Sequence, residues 1–260
     1  MSNWVRFDYN KEVGFGKMDG QEIEVFEGDM FAAPSSTGNK INLSDIKLHT
    51  PCVPSKFVAL WNNSVSIAQK QNLSQPEYPL YFIKPQNTYL ASGGIIYKPN
   101  TYDGRVFFEA EIGIVIGKTC KEVNIKDAEN AIFGYTCVND TTAVQVIDAD
   151  TSFAQWSRAK GFDTFGAFGP CISTECNIAD ASIRAELNGR ERQNYSVSDL
   201  FLQPIEIVSL LSQSMTLYPG DLIACGTGPG ALPMKPGSSI DIIIDGIGTL
   251  SNTYQELGIG

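Results

Sequence analysis

Residues 107–117 read FFEAEIGIVIG. The run is apolar enough for a buried strand, yet it carries Glu109 and Glu111. Side chains along a strand alternate between faces, so residues two apart project the same way. Glu109 and Glu111 therefore share one face, and Phe108, Ala110 and Ile112 take the other. Neighbouring carboxylates repel unless a proton or a cation intervenes. A fold containing this run either turns the acidic face to water, as two ordinary solvated glutamates, or supplies a positive partner. A hard divalent ion is such a partner, because it prefers carboxylate oxygens. The segment FGYTCVND at 133–140 reads as a second strand and brings a third acid, Asp140, to its carboxyl end.

The rest of the chain is strand-rich. WVRF, EVGFGKMDG and EIEVFEG form a short β unit within the first 31 residues, with Gly14, Gly16 and Gly20 read as turns and 32–40 as a loop or linker. KFVALW and YPLYFIKP are strand candidates. The intervening SVSIAQKQNL is either a helix or a mobile segment. IKDAENAI, with acids in its first turn, and QPIEIVSLLSQSM, with apolar residues near i, i+3 and i+4, predict helices. The stretch TSFAQWSRAKGFDTFGAFGP reads as a Gly- and aromatic-rich loop. The Asn-Gly pair in IRAELNGRERQ predicts a hairpin. Strands outnumber helices without alternating regularly, which excludes a doubly wound α/β fold and predicts a β-rich α+β fold. The expected division is a small N-terminal β-rich unit over 1–45 and a catalytic domain over 46–260.

The chain has 260 residues, a formal net charge of −10 and a pI near 4.6. That surface repels phosphate backbones and anionic membranes, so neither nucleic acid nor membrane is an expected partner. The six cysteines form no CxxC pair. They predict free thiols in a reducing, cytoplasmic setting.

Lys160 and Asp163 in KGFDTFG, and Thr227 in the glycine turn CGTGPG, add a cation and a hydroxyl to the three acids. In order along residues 53–254, the pieces FFEAEIGIVIGK, GYTCVND, QWSRAKGFDTFGAFGP, NGRERQ, MTLYPGDLIACGTGPG and DGIGTL resemble the fumarylacetoacetate hydrolase family, and residues 1–45 resemble the N-terminal unit some members carry. The resemblance implies a mixed β-sandwich roll, a homodimer and a bound Mg²⁺ or Mn²⁺. It implies Glu109, Glu111 and Asp140 as metal ligands, Lys160 as the catalytic lysine facing substrate oxygens, and Thr227 with Gly226 as substrate-binding. Asp163 would orient its loop. Thr227 has an equally good reading as a turn hydroxyl bonded to nearby backbone.

The sequence also departs from that family. Hydrolytic members carry a His and a Glu three residues apart after the first core strand. Here Ile67 and Lys70 stand in those places, and Val144 replaces a substrate-binding arginine. Ala167 replaces a common proline. His49, the chain's one histidine, lies before the strand. General-base catalysis contributes about 10²–10⁴-fold in rate, and hydrolysis needs an activated water. The expected activity is therefore decarboxylation or keto–enol and double-bond isomerisation of a small 2-oxo or 2-hydroxydienoic acid, the branch to which FIKPQNTYLASGG is also similar. Two alternatives stand beside it. One is a C–C hydrolase using the metal or another acid such as Glu77. The other is a metal-binding pseudoenzyme or ligand sensor.

Overall fold

The acid-bearing run folds as the strand Ala110–Ile116, buried along its whole length. A computed structural model of the chain describes residues 2–9, 11–179 and 181–256. In it this strand sits inside a large mixed sheet. One flank runs through Ile132–Asp140, Gly166–Ser173 and Asn3–Tyr9 to the N-terminal strands, ending at Ser35–Asn42. The other runs through Leu222–Ala224 and Phe57–Trp61 to the edge strand Leu80–Lys84. Most pairings are antiparallel, but Leu222–Ala224 and Phe57–Trp61 run parallel.

A second sheet, ordered Arg190–Ser196, Ser182–Leu187, Ser239–Ile244, Gly248–Glu256 and Ile95–Lys98, packs against the first. Ile112, Ile114, Cys137 and Cys171 of the large sheet meet Ile183, Ile242 and Leu250 of the smaller one in a single buried core. The large sheet's other face carries Trp4, Phe57, Val115, Val138 and Phe168 in a second core. Burial on both faces explains why Ala110–Ile116 is almost continuously apolar. A fully buried Ile or Phe contributes about 1.5–3 kcal/mol, so an acid in this strand stands out. Helices are short and peripheral to the sheets, as in an α+β sandwich. No helix among the described residues is long and apolar enough to cross a membrane.

Several local expectations hold. Ile125–Ala131 and Pro204–Ser214 are helices. The Asn-Gly hairpin joins Ser182–Leu187 to Arg190–Ser196 with positive φ at Asn188 and Gly189. The open choice at 64–73 resolves as the helix Val65–Gln71. Other expectations are corrected. Gly14 and Gly16 lie inside the strand Glu12–Asp19, and only Gly20 makes a turn. A Cβ at Gly16 would sit 2.2 Å from the Glu24 carbonyl oxygen, so this glycine serves a close strand approach. Most of the 32–40 segment read as a loop or linker belongs to the strand Ser35–Asn42, which is almost wholly exposed and pairs with Glu22–Glu27. An exposed polar edge strand has no hydrophobic alternation to betray it. The aromatic loop contains the helix Trp156–Lys160 and begins the strand Gly166–Ser173.

Candidate active site

The three acids meet because their strands are antiparallel neighbours. Ala110 pairs with Asn139 and Glu111 with Val138. Just ahead of its strand, Glu109 donates its backbone N–H to Asn139 Oδ1 at 3.0 Å and accepts from the Asp140 N–H at 2.9 Å. These bonds bring carboxylate oxygens of Glu109, Glu111 and Asp140 within 4.8 Å of one another. Glu111 is 1% exposed and Asp140 0%; only Glu109, with 18% of its side chain exposed, reaches the surface of a cavity. The acidic face is turned inward, not to water.

Two lysines answer the charge. Lys160 Nζ lies 2.7 Å from Glu109 Oε2 and 2.5 Å from Asp140 Oδ2. Lys84 Nζ lies 2.6 Å from Asp140 Oδ1 and donates to the Lys160 carbonyl at 2.7 Å. Burial by itself would lower the Lys160 pKa, but Asp140, Glu109 and Glu111 outweigh it and hold the ammonium above the ordinary lysine value. Burial likewise opposes ionisation of Asp140, and the two lysines overcome it. Lys84 was not singled out from sequence. The signal was there: along Leu80–Lys84 only Phe82 and Lys84 are buried, so a period-two reading puts the lysine on the inner face.

Burial lowers the Lys84 pKa, with Asp140 opposing, so three carboxylates against two lysines leave at least one negative charge in a dry place. It falls on Glu111. One carboxylate oxygen, Oε2, accepts the Gly226 N–H at 2.7 Å, whereas Oε1 is buried without a hydrogen-bond partner. Burial, then repulsion from Asp140, pushes the Glu111 pKa well above the usual carboxylate range. A proton or one more cation relieves this site. All-oxygen donors, a buried unpartnered oxygen and a surplus negative charge fit a hard divalent ion.

Glu109 borders a cavity of about 260 Å³, and Glu111 and Asp140 lie buried behind it. Lys160, at the end of the helix Trp156–Lys160, enters it beside Phe82, Trp61 and Trp156, with Nζ 5.3 Å from the Phe82 ring centre. Thr227 lines it too. Its hydroxyl donates to the Ala110 carbonyl at 3.0 Å and accepts from Gln193 Nε2 at 2.9 Å. Gly226 is not part of the wall; with φ of 94° it aims its N–H at Glu111. Gln193, buried and overlooked in the hairpin strand NGRERQ, also accepts the Ala110 N–H and donates to the Gly228 carbonyl. It ties the acid-bearing strand to the glycine turn.

Ile67 and Val144 line the cavity, whereas Lys70 is exposed and outside the lining. Glu77 is likewise exposed and outside it. Asp163 accepts from Asn87 Nδ2 at 2.6 Å, in keeping with a loop-orienting part. His49 pairs with Asp8 at 2.7 Å, away from the cavity wall. The described cysteines are all free, and Cys176 alone is not fully buried.

Comparison with known proteins agrees with this architecture. The fumarylacetoacetate (FAA) hydrolase C-terminal family profile matches residues 56–255, and the Rv2993c-like N-terminal profile matches residues 3–51. The chain is 34% identical to oxaloacetate tautomerase YisK of Bacillus subtilis over 225 residues, covering 81% of this chain and 74% of that protein. The crystal structure of 2-hydroxyhepta-2,4-diene-1,7-dioate isomerase from Mycobacterium marinum superposes with a TM-score of 0.90 at 34% identity, covering 99% of this chain and 100% of that one. Maleylpyruvate hydrolase from Sphingobium sp. SYK-6, in complex with manganese(II) and pyruvate, superposes with a TM-score of 0.78 at 25% identity, covering 98% and 99%.

Proposed function

We propose, because the chain belongs to the fumarylacetoacetate hydrolase family, that it is a divalent-metal-dependent enzyme that carries a small 2-oxo or 2-hydroxydienoic acid through its enolate. Keto–enol tautomerisation or double-bond isomerisation completes the reaction. Decarboxylation through the same enolate is the second reading. The observation that carries the proposal is the ionisable content of the cavity. Among the described residues lining it, only Glu109 and Lys160 ionise. Glu109 is already bonded to Lys160 and Thr142, and Lys160 is held as an ammonium. The wall thus offers no base apart from Lys160 to activate water for C–C hydrolysis, whereas tautomerisation needs a single proton carrier: the Lys160 ammonium delivers a proton to C3 of the enolate, and in the reverse direction its amine takes that proton back.

A divalent ion held by Glu109, Glu111 and Asp140 would polarise the 2-oxo group and stabilise negative charge as it develops. Lys160 adds a second positive charge. Two of its donors hold Glu109 and Asp140; the third, 3.2 Å from the Asp140 carbonyl, is the weakest and the one to turn toward an enolate oxygen or deliver a proton. Thr227 meets the substrate carboxylate by rotating its hydroxyl away from the Ala110 carbonyl. Trp61, Phe82 and Trp156 exclude water around the enolate. A pseudoenzyme reading fares worse, because a buried carboxylate cluster is costly to keep without a use.

The test is proton exchange at C3 of 2-oxo acids in D₂O, followed by NMR with Mg²⁺ or Mn²⁺. Metal-dependent acceleration over buffer is expected, with no solvent oxygen entering a new carboxylate in ¹⁸O water. Incorporation of that label would establish hydrolysis instead. Absence of exchange with every 2-oxo acid would end the enolate reading.

A further inference from the structure

From the uncharged part of the cavity wall, and resting on the enolate reading above, we infer the substrate class. It is a 2-oxo monocarboxylic acid, or its 2-hydroxy-enoic tautomer, whose far end is uncharged and apolar. The names of two relatives, the oxaloacetate tautomerase and the diene-dioate isomerase, point to diacids; this wall does not suit one.

Beyond Glu109 and Lys160, the cavity is bordered by Ile67 and Leu73 from the first helix and its exit, Val144 and Ile147 from the short helix Val144–Ile147, and Trp61 and Trp156. Trp61 and Trp156 lie 5.3 Å apart by ring centres. Among the described residues neither Arg105 nor Arg158 lines the cavity, and Lys160, the single cation that does, is already paired with two carboxylates. Two of the neutral polar groups, Asn63 and Ser64, are engaged as well, while Asn62 and Gln71 add uncharged amides to the wall. Asn63 binds the backbone of Leu202 and Cys225 through both ends of its amide, and Ser64 donates to Asp199. A substrate's first carboxylate and 2-oxo group belong beside the acids, Lys160 and Thr227. A second carboxylate would sit among aliphatic and indole surfaces with no unpaired cation in the described lining, Arg105 reaching no nearer than the Phe107 ring, 5.6 Å from its centre, and that burial is disfavoured. An isopropyl or phenyl group in the same place gains by its own burial. The wall therefore selects partly by rejection, leaving a wrong group unpaired.

Matched substrates test this. Metal-dependent C3 exchange would be measured for 5-methyl-2-oxohexanoate and phenylpyruvate against 2-oxoglutarate, in which a carboxylate replaces the isopropyl group. The apolar acids should be favoured in kcat/KM by about a hundredfold. Val144→Arg should narrow or invert that ratio. Ile67→Lys, on a different element, should act in the same direction, so failure of one variant to fold leaves the other to report. Circular dichroism confirms folding of each. Equal use of both classes by the unmodified chain, or preference for 2-oxoglutarate, overturns the class while leaving the enolate chemistry intact. Exchange of neither class would remove the enolate reading and the inference with it.

Discussion

Glu111 is the residue on which metal binding and stability meet. Its pKa is raised by burial and by Asp140, with Glu109 adding to the repulsion; Lys160 and the Gly226 N–H oppose it. A carboxyl whose folded pKa lies above its unfolded one favours the folded state fully below the unfolded pKa. That advantage is lost as pH rises through the folded value. The metal-free chain should therefore lose stability above the ordinary Glu range near 4.5. Asp140, with its lowered pKa, acts in a separate window, below about 3.8, where acid removes its contribution. Thermal melts against pH, with and without Mn²⁺, check this; the ion should restore stability at neutral pH. Saturation at a hundredfold over Kd is worth about 2.7 kcal/mol. Glu111→Gln should abolish that gain yet raise the metal-free melting temperature at pH 8, since an amide can keep the Gly226 bond without the charge. A metal-induced shift that survives in Glu111→Gln would remove it from the ligand set. The two lysines separate in the same way. Lys84 does not line the cavity, so Lys84→Met should cost about 3 kcal/mol in urea unfolding by leaving Asp140 under-paired. Lys160→Met should depress turnover more than it weakens metal binding. Equal loss of turnover and binding in Lys160→Met would deny that lysine a chemical part.

At the scale of the element, the helix Val65–Gln71 is held from outside itself. Ser64 caps it by accepting the Ile67 N–H, and Asp199 accepts from the Ser64 and Ser66 hydroxyls at 2.7 and 2.6 Å. Asp199→Ala should loosen it by about 1–2 kcal/mol, seen as faster amide exchange confined to 65–71. KM should rise with little change in kcat, because Ile67 and Gln71 belong to the cavity wall. Unchanged exchange would mean that packing alone holds the helix. This anchor shows why some elements were legible in the sequence and others were not. Glu109, Glu111 and Asp140 were readable because strand alternation and a strand end are local. So was the Asn-Gly hairpin. The helix at 65–71 stayed undecided because the group that fixes it lies 133 positions away. Gln193 escaped notice for a related reason: its three partners, Ala110, Thr227 and Gly228, come from two other segments. Lys84 was legible by parity alone, but its purpose depends on Asp140, from a strand that is not its neighbour in the sheet.

At the scale of the molecule, the site depends on one sheet that runs across both family-profile matches. Asn3–Tyr9 pairs with Gly166–Ser173, with Asn3 opposite Ser173 and Trp4 opposite Ile172. Gly166–Ser173 in turn flanks Ile132–Asp140, placing Gly166 opposite Asp140. The N-terminal strands also bury Val5, Phe7, Ile23 and Val25 in the same core as Ile112 and Cys171. Removing residues 1–45 would strip those side chains from the core. It would also leave Gly166–Ser173 with an open edge, a template for unwanted pairing. At about 1.5–3 kcal/mol for each large apolar side chain, the loss is comparable with the whole stability of an ordinary domain, about 5–15 kcal/mol. The chain 46–260 should therefore be insoluble, or melt far below the full chain, and its Mn²⁺ affinity should fall even though every ligand is retained. A truncated chain that folds with the parent melting temperature and binds Mn²⁺ equally well would show that the strands from 57 onward hold the acids in register unaided.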